Sequence, residues 1–144
     1  MQNRKENGIL RELFRLSRLS METAELVLPS VRDRELKEQI ERQLEGYRTA
    51  AEKSAELLRR HGVEPAEAGG LVRRAVRNSV RLGVARNRSS RRIAQLGVKG
   101  TTAAMADLTR AMDRFADGDP QSRKIAEEYL DAGQKSVDRL RKYL

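Results

Sequence analysis

LKEQIERQLEGYRTAAEKSAELLRRHGVEP, residues 36–65, is the stretch whose reading decides the fold. Leu36, Ile40, Leu44, Tyr47, Ala51, Ser54 and Leu58 recur at three- and four-residue intervals, which sets them along one side of an α-helix. The charged residues of the stretch fall mostly off that stripe, as they do on a helix with one face in a core. Gly62 suits the left-handed residue that closes a helix, and Pro65 blocks continuation. Upstream, the sequence predicts a start near Val31, with Ser30 as N-cap and Asp33 near the first turn. The helix is expected over 31–61.

The same period extends both ways. Leu10, Leu13, Phe14, Ser17, Met21, Ala24 and Leu28 predict a helix over 8–28, stopped by Pro29. Leu16, Leu19 and Leu26 widen its stripe, so neighbours on two sides are expected, and a homodimer is one way to supply them. LVRRAVRNSVRLGVARNR, residues 71–88, predicts a cationic amphipathic helix over 71–87. On a helical wheel Arg73, Arg74, Arg77, Arg81 and Arg88 share about one third of the circumference. Leu71, Val72, Ala75, Val76, Val80 and Leu82 take the other side. Ser89 or Ser90 can cap a fourth helix over 90–116, striped by Ile93, Leu96, Gly97, Gly100, Ala104, Leu108, Ala111 and Phe115. Asp117-Gly118-Asp119-Pro120 punctuates the chain, with Asp119 as N-cap and Pro120 in the first turn. The last helix, 120–143, carries Ile125, Tyr129, Ala132, Ser136, Leu140 and Tyr143 inward. No strand-like alternation persists, and residues 1–144 read as one all-α domain.

Short connections make helices one and two, and the last two, antiparallel hairpins; the long connection between the hairpins contains the basic helix. With residues 36–65 and KGTTAAMADLTRAMDRFADGDPQSRKIAEEYLDAGQKSVDRLRKYL, residues 99–144, the chain resembles the uncharacterised bacterial ferritin-like four-helix bundles. That resemblance implies a ferritin-like four-helix bundle with a long crossover between the second helix and the fourth. It does not carry over a di-metal centre, which takes Glu from two helices and Glu-x-x-His from the other two. No Glu-x-x-His occurs, and the only histidine, His61, sits at a helix end where the dipole tolerates a cation. The inward positions inferred for mid-bundle are not carboxylates. Glu25, Glu45 and Glu128 lie nearest the stripe edges, with Arg48 and Arg18 as expected partners. No cofactor is expected. The alternative is a metal-binding or oxidoreductase relative with unusual carboxylate ligands.

Mid-bundle instead collects Tyr47, Tyr129 and the glycines Gly46, Gly97, Gly100 and Gly133. The tyrosines are expected at the bundle centre, filling space that small residues leave, with Ser17, Ser20, Gln43 or Ser136 as hydroxyl partners. A cavity for a small ligand is the other reading of the same glycines.

Composition bounds the chemistry. The 144 residues include no cysteine, no tryptophan and one histidine, which excludes disulfide scaffolds, zinc–thiolate sites and thiol nucleophiles. An aromatic share of 3% is too low for base-stacking platforms. There are 30 Lys and Arg against 21 Asp and Glu, a net charge of +9. The surplus is local: Arg73, Arg74, Arg77, Arg81, Arg86, Arg88, Arg91, Arg92 and Lys99 lie in a stretch without one acid, leaving 21 bases and 21 acids elsewhere. Arg73, Arg74, Arg77, Arg81, Arg88, Arg91 and Arg92 are the anion-binding candidates. Three destinations stay open for them: acids elsewhere in the fold, an anionic protein or membrane surface, or non-specific contact with nucleic acid. No export signal and no apolar run long enough to cross a bilayer are read, so a cytoplasmic protein is expected. No phosphate-cradling loop or catalytic constellation is present, so the expected function is non-enzymatic, as a structural or binding protein.

Overall fold

The computed structural model describes residues 4–116 and 119–144 and, among them, contains helices and no strands. Five α-helices follow one another: α1 Arg4–Val27, α2 Arg34–Arg60, α3 Gly70–Arg86, α4 Ser90–Arg114 and α5 Pro120–Leu140, with short 3₁₀ turns at Leu28–Ser30 and Arg141–Tyr143. Asp117 and Gly118 of the expected punctuation lie outside the described residues.

The helix ends follow local chemistry. The 3₁₀ turn containing Pro29 delays α2 to Arg34. The N-cap is therefore Asp33 and not Ser30: its carboxylate accepts from the Leu36 backbone N–H at 2.8 Å. Gly62 closes α2 at φ +75°, where a side chain would be strained. Ser89 caps α4 by accepting from Arg92 N–H at 3.2 Å, and Asp119 caps α5 ahead of Pro120. The first helix begins earlier than its stripe suggested. Asn7 and Ile9 are buried, and the Asn7 carboxamide Oδ1 meets the His61 ring at 2.8 Å.

That contact ties the start of α1 to the end of α2, so the two run antiparallel. Lys142 and Tyr143 beyond α5 reach Glu35 and Asp33 at the start of α2, which makes α2 and α5 antiparallel. Phe115, just after α4, lies against Gly8 of α1; a Cβ on Gly8 would stand inside that ring. The α4–α5 pair meets where Gly97 touches Leu140 and Gly133 touches Met105 and Thr101. Four long helices thus share one core. Ile9, Leu13, Leu16, Ala50, Ala104, Leu108, Ala126 and Tyr129 fill one half of it. Met21, Val27, Leu36, Ile40, Leu44, Ala51, Ile93, Ala94 and Leu140 fill the other, with Val84 of α3.

The remaining helix, α3, packs against α1 and α4. Leu19 and Leu26, which widened the first stripe, lie between α1 and α3. The width is used within the chain. Two inward positions need correction. Gly100 and Ala132 are exposed, and their neighbours Thr101 and Gly133 are buried in their place. Near each, two adjacent small residues offered the stripe a choice, and packing of Met105 against Gly133 decided it.

Ser17 is fully buried and, among the described residues, its Oγ has no hydrogen-bond partner. An unpaired buried hydroxyl costs about 1–3 kcal/mol in desolvation. Ser17→Ala is therefore expected to raise the melting temperature, by a gain of about 1 kcal/mol, in a thermal scan followed by circular dichroism. A loss of stability would mean that the hydroxyl does find a partner.

Candidate functional site

The basic residues are placed by α3, by the 87–89 connection and by the first turn of α4. Arg73, Arg74, Arg77, Arg81 and Arg86 lie on α3. Arg88 does not: the helix ends at Arg86, so Arg88 leaves the shared face and sits in the connection. Arg91 and Arg92 fall in the first turn of α4. Leu71 and Leu82 also depart from the expected side, being 82% and 54% exposed.

Pairing separates these residues. Arg73 bonds the Glu22 carboxylate of α1 and also lies 3.2 Å from Glu67. The hydrogen bond and charge of Glu22, then the charge of Glu67, hold its guanidinium pKa above the usual value. Among the described residues, no ion pair engages Arg74, Arg77, Arg81, Arg86, Arg88, Arg91, Arg92 or Lys99 (the nearby Arg18 takes Glu67 at 2.7 Å). All of these except Arg92 are exposed. Arg91 and Arg92 also stand in the first turn of α4, which contains no acid. The helix dipole disfavours cations there, by about 0.3–1 kcal/mol each. Fold stability gives no reason for this arrangement.

Beneath α3 lies a half-open cleft of about 550 Å³, bounded by α1, α3 and α4 and reaching between them to α2 and α5. Val72, Ala75, Val76, Ser79 and Val80 of α3 line it from above. Gly100, one of the mid-bundle glycines, also lines it, and a Cβ there would meet nothing within 4 Å. Gly46 likewise faces open space, whereas Gly97 and Gly133 are filled by Leu140 and Met105. The tyrosines do not occupy glycine space.

Tyr47 and Tyr129 do meet at mid-bundle, with ring centroids 6.1 Å apart and planes tilted by 42°. Tyr129 is buried and Tyr47 half-buried. The Tyr129 hydroxyl lies 3.4 Å from Ser20 Oγ, and the Tyr47 hydroxyl 3.4 Å from Thr101 Oγ1. Thr101 was not among the expected partners; a threonine beside a run of small residues gives no sequence signal. Burial is the largest cause that pushes both phenols to ionise less readily than free tyrosine.

This shift has a sign. The folded state holds the phenolic protons more tightly than the unfolded chain, so their contribution is intact below about pH 10, the ordinary tyrosine pKa. It is lost as pH rises above that through the folded values. Denaturation midpoints measured across this range are expected to fall above pH 10. The Tyr47→Phe/Tyr129→Phe double variant is expected to fall less steeply, and equal slopes would remove the tyrosines as the cause.

The three edge carboxylates stay apart. Glu45 pairs with Arg48, Glu128 lies 3.7 Å from Lys53, and Glu25 is exposed. Among the described residues, no group of three His, Asp or Glu is placed to hold a metal ion. No helix among them is long and apolar enough to cross a membrane. Comparison with models of known protein families, with curated proteins and with solved structures finds no match.

Proposed function

We propose that this chain is a non-enzymatic binding protein: a ferritin-like bundle without a working di-metal site that docks on anionic lipid surfaces through its basic crossover helix, α3, and the turn into α4. The observation that carries the reading is the pairing pattern, in which, among the described residues, one of nine clustered basic residues is neutralised by an acid. Exposed arginines near an anionic bilayer contribute about 1 kcal/mol each. Leu71 and Leu82 are three helical turns apart on α3, exposed and beside Arg74 and Arg81. Such leucines gain from a lipid interface and gain nothing from phosphates of a duplex.

Vesicle co-flotation tests the reading. The protein is expected to float with phosphatidylserine-containing vesicles at low salt, to be released at high salt and to ignore phosphatidylcholine vesicles. Failure to float with anionic vesicles at low salt ends the proposal. Release from them by short duplex DNA at matched phosphate would move the reading to nucleic acid.

A further inference from the structure

The two ends of α3 are held by different forces. At the C-terminal end Gly83 and Val84 are buried, Gly83 beside the Arg92 and Leu96 side chains of α4 and Val84 within the core. Before Gly83 no residue of α3 is buried; Arg73, Val76 and Val80 are half-buried and the others are exposed. Val72, Ala75, Val76, Ser79 and Val80 border the half-open cleft, so this part of the helix spans space and does not rest on a packed core. Its start is also bare. Asp33, Ser89 and Asp119 cap α2, α4 and α5 with their side chains, whereas α3 starts on Gly69, which has none to offer.

Ion pairs hold that end instead. Arg73 grips Glu22 of α1 with two nitrogens, Nε donating to one carboxylate oxygen at 3.2 Å and a terminal nitrogen donating to the other. Its second terminal nitrogen lies 3.2 Å from Glu67, in the loop before α3, and Arg18 of α1 donates to the same carboxylate at 2.7 Å. Two bases and two acids thus form a network across α1, the loop and α3. Most other ion pairs among the described residues join side chains three or four apart on one helix. Here three pairs between separate elements converge. Isolated surface pairs contribute little, but a bidentate arginine inside a network is the arrangement in which such pairs count. The Arg73 and Glu67 side chains are each 33% exposed, so dissolved ions can screen them.

We propose that Arg18, Glu22, Glu67 and Arg73 form an electrostatic latch that keeps residues 70–82 closed on α1, and that its release lets this part of α3 lift about the Gly83–Val84 anchor while the other four helices stay packed. Raised ionic strength is the signal that opens it. The latch works in this way whatever the arginine surface binds.

The chain has no cysteine, so a single introduced thiol reports on its own position. Val76→Cys places one in the seam between α1 and α3, and Ala126→Cys places one in the bundle interior, at 0% exposure. Labelling rates are read with 4,4′-dithiodipyridine, which is uncharged and is not concentrated by the arginines, while circular dichroism checks that helicity is constant. The Val76→Cys thiol is expected to react on the order of a hundredfold faster than the Ala126→Cys thiol. Glu22→Gln together with Glu67→Gln is expected to raise the Val76→Cys rate about tenfold and to leave the Ala126→Cys rate within about twofold. Raising sodium chloride from about 0.01 M to about 1 M shortens the Debye length from about 30 Å to about 3 Å. It is expected to speed Val76→Cys labelling in the parent background and not in the Glu22/Glu67 variant. Val84→Ala loosens the apolar anchor; it is expected to speed labelling and to keep the salt response. The proposal is overturned by equal rates at the two positions, by a Val76→Cys rate that ignores the Glu22 and Glu67 substitutions, or by a salt response that persists in the Glu22/Glu67 variant.

Discussion

Substituting alanine for Leu108 is expected to lower the unfolding free energy by about 2–5 kcal/mol, the range for a fully buried leucine whose cavity cannot close. In a chain of this size that is a fall of roughly 5–15 °C in melting temperature. Leu108 is 0% exposed and belongs to the cluster where α4 meets Ile9 and Leu13 of α1 and Ala126 and Tyr129 of α5. It therefore reports on the contact between the two hairpins. The comparison is Leu82→Ala on α3, where 54% exposure leaves little to lose, and a change within about 0.5 kcal/mol is expected. Chemical denaturation of both variants, with m-values checked for constancy, reads the difference directly. Equal costs would mean that α3 is as deeply embedded as α4.

The second large effect concerns binding. Converting Arg74, Arg77, Arg81 and Arg88 together to glutamine is expected to weaken affinity for anionic vesicles by about 4 kcal/mol, at about 1 kcal/mol per arginine. That is on the order of a thousandfold. The melting temperature should stay within a degree or two, because all four side chains are exposed and none is ion-paired among the described residues. Glutamine also keeps nearly the helix propensity of arginine. Arg73→Gln provides the opposite pattern. It breaks the contacts to Glu22 and Glu67, so a small loss of stability is expected with vesicle affinity close to that of the parent chain. If the quadruple variant loses stability and keeps its affinity, the arginines serve the fold and not a partner.

Much of the fold was legible because its helices repeat their apolar residues without interruption. The stripe from Leu36 to Leu58 needed no correction, and Gly62, Ser89 and Asp119 ended or began helices as their chemistry suggests. The sequence failed where neighbouring residues were near-equivalent. Ser30 and Asp33 are both competent caps, and the 3₁₀ turn around Pro29 chose between them. Thr101 over Gly100 and Gly133 over Ala132 are choices made by partners on other helices, which period alone does not encode. The candidate site divides in the same way. The acid-free run of arginines was visible as composition, but which one is paired depended on Glu22 and Glu67 being carried to α3 by the fold. Of the polar lining, Gln43 was expected as a hydroxyl partner at mid-bundle, whereas the buried Thr101 had no periodic signature, since a threonine beside small residues reads as surface.

The burial of α3 is lopsided in a way that bears on how the molecule opens. Only Gly83 and Val84 of its residues are buried, against ten in α2 and seven each in α4 and α5. Segments with so little apolar anchorage exchange their amide hydrogens through local opening, well before the rest of a protein unfolds. This one carries five arginines, so it is also where trypsin should cut first under native conditions. Such a nick would sever the chain between its two hairpins without touching the interface that joins them. The two pieces should then co-elute as one particle, a bundle held together from two separate chains.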